Sequence, residues 1–163
     1  MPISPQDIRF HLSVDARRGL SEQTLPERSL GGRVAATIIP DRLFADMGAE
    51  ANAERLSDYR CVFVVNASEM TLFNASVSVS VPPRASAVDL GTDPHDAAPA
   101  TEAKSRFTLD PMVAPVGVTF AGIAALGDIG PGQARGVWVR RTGVGSPSTP
   151  DDTFTLRVTG ETL

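Results

Sequence analysis

The sequence predicts an all-β protein: an antiparallel β-sandwich, immunoglobulin-like or jelly-roll in type, with one short helix and an extended N-terminal arm or loop. Three observations carry this. Fourteen glycines and thirteen prolines punctuate short runs rich in Val, Thr and Phe, residue types that suit a pleated, half-buried surface. Several runs alternate apolar and polar residues with period two, the spacing of a strand with one buried face. A single stretch has helix-favouring composition. The 163 residues and 42% apolar content fit one soluble domain with a real core. It divides into an N-terminal strand and arm over residues 1–32 and a sandwich over residues 33–163.

Each element has its own justification. "IRFHLSV", residues 8–14, puts Ile8, Phe10, Leu12 and Val14 on one face against Arg9, His11 and Ser13. "DARRGLSEQTLPERSLGG" follows, where Arg17, Arg18 and Arg28 are interspersed with Asp15, Glu22 and Glu27. Mixed charge without apolar periodicity builds no core of its own, so this stretch is expected to be an arm that orders against a neighbouring subunit. "RVAATIIP" is a short strand stopped by proline. In "DRLFADMGAEANAERLSD" the Ala, Glu, Met and Leu content predicts a helix from about Met47 to Leu56, capped by Asp46.

"YRCVFVVNA", residues 59–67, is apolar on both faces. That predicts a central strand covered on both sides, by the helix or the arm. "LFNASVSVSV" sets Phe73, Ala75, Val77, Val79 and Val81 inward, and the two runs together read as a hairpin. "ASAVDLG", "SRFTLD" and "VGVTFAG" are further short strands, separated by the loop "TDPHDAAPATEAK". After the turn "DIGPGQ", "ARGVWVRRTG" is a strong strand. "TFTLRVTGE" closes the chain with Phe154, Leu156 and Val158 on one face. No internal repeat of fixed period is present.

The chemistry-bearing residues are sparse. The net charge of −4 argues against general nucleic-acid binding, which needs a basic face. No apolar run reaches the roughly 18–20 residues of a membrane helix, and the opening residues lack the basic and apolar regions of a signal peptide. The one cysteine, Cys61, lies in "CVFVV" and reads as a buried, inert thiol. There is no Gly-x-Ser-x-Gly elbow, phosphate loop or His-Glu-x-x-His zinc motif. Asp93, His95 and Asp96 offer three possible cation ligands within four positions, but acidic residues are common in such turns for local hydrogen bonding. No catalytic, cofactor or metal residue is assigned.

The stretch "PGQARGVWVRR" holds the only Trp, and two readings of it stand. If Val137 and Val139 face the core, Trp138 and Arg140 face outward together, and they are residue types enriched where proteins bind one another. If the strand is inverted, Trp138 anchors the core and the contact surface lies elsewhere, along the N-terminal arm. The candidate subunit-contact residues are therefore Arg17, Arg18, Arg28, Trp138 and Arg140.

Several segments together resemble small virion structural proteins of tailed bacteriophages. They are "ISPQDIRFHLS", "SLGGRVAATII", "LFADMGAEANAERLSDYRCVFVVNAS" and "DIGPGQARGVWVRRT". The resemblance touches most of the chain through short, degenerate pieces. It implies a non-enzymatic β-sandwich subunit, present in many copies, in the tail or baseplate or as a capsid decoration. Tyr59, Arg60 and Trp138 match its pattern as fold or contact residues.

The expected function is that of a virion structural subunit, made in the host cytoplasm, that stabilises capsid or tail neighbours and associates with itself, without cofactor, nucleic acid or membrane. Two alternatives stand beside it. One is a carbohydrate- or calcium-binding module using Trp138, Arg140 and the 93–96 loop. The other is a hydrolase with an unrecognised site at His95.

Overall fold

The computed structural model describes residues 3–15, 22–46, 48–145 and 152–163. Ten strands run in chain order: β1 (Ile8–Val14), β2 (Gly31–Ile38), β3 (Ser57–Asn66), β4 (Leu72–Val81), β5 (Ser86–Thr92), β6 (Ala98–Pro99), β7 (Lys104–Phe107), β8 (Ile123–Ile129), β9 (Gln133–Gly143) and β10 (Thr155–Glu161). One helix, α1 (Ala49–Ala53), lies between β2 and β3. The strands form a seven-stranded sheet ordered β5-β9-β3-β1-β2-β7, with β6 beside β9, and a three-stranded sheet ordered β10-β4-β8. The pairings are antiparallel. The fold is the expected all-β sandwich, and its opening strand is an interior member of the larger sheet.

Alternation in the sequence builds the layer between the sheets. Leu12 and Val14 of β1, Val62 and Val64 of β3, and Val137 and Val139 of β9 point to the same side. There they meet Ala75 and Val77 of β4 and Ala124, Leu126 and Ile129 of β8. Phe154, Leu156 and Val158 pack against this core from β10, as their period predicts. The β3–β9 ladder is unbroken from Ser57–Thr142 to Val65–Ala134.

The second face of β3 and β9 is buried as well. Tyr59, Cys61, Phe63 and Val65 join Ala134 and Trp138 in a separate cluster, closed by Ala98, Ala100, Ala103, Val118 and Phe120. The strand is thus covered on both sides as its composition requires. The cover, however, is the excursion between β5 and β8, not the helix or the arm. The excursion can satisfy its backbone while doing this: Tyr59 N–H donates to Pro111 O, and Leu90 and Ala121 exchange N–H···O bonds.

The hairpin expected of β3 and β4 does not form. The two strands lie in different sheets, and the chain crosses between them at Asn66. That side chain is buried and uses its full capacity: Nδ2 donates to Met70 O and Ile129 O, and Oδ1 accepts from Ser68 N–H and Oγ. Such a corner needs a residue with two donors and two acceptor sites. The inward set of β4 also differs at its start. Leu72, not Phe73, is buried, because Asn74 has φ 50° and forms a bulge that inverts the alternation. Asp128 accepts the Asn74 N–H at 2.9 Å and fixes it.

Three further expectations are corrected. The helix spans only Ala49–Ala53 with Gly48 at its N-cap, while Asp46 pairs with Arg42 at 3.1 Å. Residues 116–122 form no strand beyond the Leu90–Ala121 bridge; the strand is Ile123–Ile129 instead. Residues 22–30 of the expected arm lie along the larger sheet of their own chain: Ala36 N–H donates to Glu22 O, Thr24 N–H to Thr37 Oγ1, and Ser29 is fully buried under β1 and β3. Arg17 and Arg18 lie outside the described residues.

Gly31 opens β2 with φ 98°, and an added Cβ would sit 1.8 Å from Arg106 O. Left-handed strain alone costs about 1–3 kcal/mol, and the overlap must push β7 away. Gly31→Ala is expected to lower Tm by at least ~5 °C in a thermal melt. Gly122→Ala, where a Cβ meets nothing within 4 Å, is the control that leaves Tm within about 2 °C.

Candidate functional site

Trp138 is fully buried and lies on the same side of β9 as Gly136 and Arg140, opposite the core valines. Both readings of it were half right. Val137 and Val139 face the inter-sheet core, so Trp138 does point to the other face, but that face is covered. Its indole N–H donates to Asp93 Oδ2 at 3.0 Å. Asp93 is itself fully buried and also accepts from Arg106 N–H at 2.7 Å and His95 N–H at 3.0 Å. The His95 ring nitrogen Nδ1, 2.8 Å from Oδ1, is placed to donate a fourth bond. A buried carboxylate with this many donors is a structural anchor, and it ties the covering excursion to β9 and β7.

Arg140 is half-buried. Its guanidinium does not stack on Trp138; it lies 4.8 Å over the Phe120 ring and bonds Asp89 Oδ2 at 2.9 Å. Trp138 therefore lies in the second core and not on a surface, while Arg140 braces the cover with about a third of its side chain, 32%, exposed. The same geometry removes the grounds for a sugar or calcium site, since the indole and Asp93 are turned inward. Asp96 stands apart, 4.0 Å from Arg135, and no metal-ligand group of three is present among the described residues. Among the described residues no hydroxyl or thiol bonds the His95 ring, whose hydrogen-bond partner is Asp93.

Two more buried cations brace one end of the core. Arg60 and Arg141 stack on Phe44 at 4.9 and 4.7 Å. Burial pushes both guanidinium groups down from the usual arginine range, and Asp58 opposes the shift. Arg141 donates to Ala45 O and to Asp58, which holds the 39–46 loop over the sandwich end. Cys61 is buried, and desolvation drives its thiol well above the usual range.

The surface that remains unexplained by folding lies at the β7 edge. Phe107, Leu109, Met112, Val113 and Val116 are exposed; Leu109 is 93%, Val116 77% and Phe107 65% accessible. Phe107 and Leu109 border a groove of about 530 Å³ whose other wall includes Val14, Leu30 and Arg28. Arg28 is thus the one described arm arginine, and it stands at this groove. The sequence carried a signal for it: from Pro111 to Gly127 there is no charged residue, although two prolines and three glycines preclude a long buried strand.

No family model, curated protein or solved structure matches the chain.

Trp138→Phe removes one donor from the buried Asp93 carboxylate. An unmet group of this kind costs about 1–3 kcal/mol, so Tm should fall by several degrees while far-UV circular dichroism stays unchanged. Ellman's reagent at pH 8 should leave the native Cys61 thiol untouched and modify it fully in denaturant.

Proposed function

We propose that the chain is a non-enzymatic structural subunit of a tailed-phage virion, one that binds and stabilises neighbouring capsid or tail subunits. The observation that carries the assembly role is the exposed apolar segment from Phe107 to Val116 beside the Arg28 groove. Exposed apolar residues scattered singly are ordinary, whereas several gathered on one segment mark a contact surface. Phe, Met and Arg are the types enriched in such surfaces. The side chains of Trp138, Asp93 and Arg140, which would otherwise suggest a ligand, are consumed in holding the cover. The virion setting rests on the four segments that resemble phage structural proteins. Among the described residues no helix is long and apolar enough to cross a membrane.

The test is mass spectrometry of purified particles from the phage or prophage that encodes the chain, with and without Phe107→Asp and Leu109→Asp. The wild-type chain is expected in the particles at stoichiometric level. The double variant should keep its thermal stability and incorporate at least about tenfold less, the loss expected when charge is placed in the core of an apolar contact. Absence of the wild-type chain from particles would sink the virion reading. Equal incorporation of the double variant would move the contact away from this face.

A further inference from the structure

Among the described residues the two sheets end in four edge strands, β5, β7, β8 and β10, and three of them are blunted. Strand β7 is only four residues long. On the outer side of β5, Leu90 already exchanges backbone hydrogen bonds with Ala121. Strand β8 pairs irregularly around Gly127, whose φ is 69°. Strand β10 has no inserted residue of its own: its pairing with β4 shifts register at Thr155/Leu156 and at Thr159/Glu161, but both times the extra residue lies in β4. Strand β10 is seven residues long, pairs only with β4, and exposes Thr155, Arg157, Thr159, Gly160 and Glu161. An edge of this length, without an inserted residue, is a template for another strand. On this side of the molecule the sandwich is also open: two hollows of about 460 and 490 Å³ lie between β10 and β1, bordered by Phe10, Ile39 and Leu156 and by Ile3, Ile8 and Val158.

The charges on β10 identify the strand that fits. Residues directly opposite in an antiparallel pair point to the same face, so two copies keep their cores on one side only if outward residues meet outward residues. Centring the pair on Thr159 sets Arg157 of each copy opposite Glu161 of the other, with Val158 against Gly160. Centring on Arg157 sets two arginines against each other, and centring on Val158 pairs neither charge with an opposite one. Arg157 has no carboxylate partner among the described residues. Glu161 accepts one bond, from Asn74 Nδ2 to Oε2 at 3.3 Å, which leaves Oε1 for Arg157 of a second copy.

We propose that β10 is a self-pairing edge, through which two copies join antiparallel about a two-fold axis at Thr159 into one six-stranded sheet. This surface is distinct from the Phe107 segment, and it gives the subunit a contact with its own kind in addition to one with a different neighbour.

Sedimentation velocity on the full chain at about 100 µM tests it with charge reversal. The wild type should sediment as a dimer. Arg157→Glu alone and Glu161→Arg alone should each weaken the dimer by about tenfold, since opposite-charge cross-strand pairs become like-charge pairs. An equimolar mixture of the two variants should dimerise again, because every pair across the axis is then Glu–Arg. Thr159→Cys should crosslink to itself on mild oxidation, as the two Cα atoms fall within disulfide range, while Thr155→Cys should not; buried Cys61 does not compete. A monomeric wild type, a dimer that neither reversal weakens, or equal crosslinking at both positions overturns the proposal. A monomer that is nevertheless found in particles overturns only the self-pairing and leaves the virion reading intact.

Discussion

The β3–β9 ladder is apolar on both faces, and the rest of the molecule follows from that constraint. A strand pair with Val62, Val64, Val137 and Val139 on one side and Cys61, Phe63 and Trp138 on the other cannot rest in a single-layer contact. It requires two covers. The three-stranded sheet provides one, and it can do so because alternation in β4, β8 and β10 supplies one apolar face each. The second comes from the residues between β5 and β8, most of which lie outside regular strands. An irregular cover carries many backbone groups, each costly to bury without a partner. This explains why the excursion is stitched to the sheet by Tyr59 N–H to Pro111 O, by the Leu90–Ala121 exchange and by the Asp93 cluster.

Asp93 makes that solution specific. Apolar packing alone would let the cover slide over the flat face presented by Phe63 and Trp138. A buried carboxylate that accepts from the Trp138 indole, the Arg106 amide and the His95 amide has its partners met in one register only. Gly136 contributes by leaving room: an added Cβ would lie 3.2 Å from the Cβ of Asp93 and from that of Ser105. The tryptophan is thus large enough to fill the second core and polar enough, at one atom, to orient what covers it.

Much of this was legible in the sequence. The period-two runs gave β1 and β10 with their inward faces and β9 as a strand, and the two-sided apolarity of residues 59–65 gave the central strand. What was not legible depended on contacts far away in the chain. The β3–β4 crossing turns on Asn66 finding the carbonyl of Ile129, and the phase of β4 turns on Asp128 fixing a bulge at Asn74. A Val- and Ser-rich run looks the same whether its neighbour in sequence is its neighbour in the sheet. The run 116–122 has strand composition but is held by side-chain packing of Val118 and Phe120 into the second core, so propensity was overridden by position. Trp138 was undecidable for a related reason: period two shows that it opposes the valines, but not that its face would be covered too.

The cover also accounts for where the exposed apolar ridge lies. Residues 111–127 are uncharged, and a segment that must seat Val118 and Phe120 over a sheet cannot also turn every other apolar residue inward, because it has no regular period to sort them. Met112, Val113 and Val116 are left outside. At its start, Phe107 ends a short edge strand opposite Gly31, where β2 has no side chain to shield it. The same residues that close the second core therefore leave an apolar ridge on the surface, on an anchored segment whose entropy of ordering has already been met in the monomer. In the proposed role a ridge fixed in this way is preorganised, and preorganised apolar area favours binding more than an equal area on a free loop does. The covering of both faces of one strand pair and the exposed apolar ridge thus have a common cause in the composition of residues 93–122.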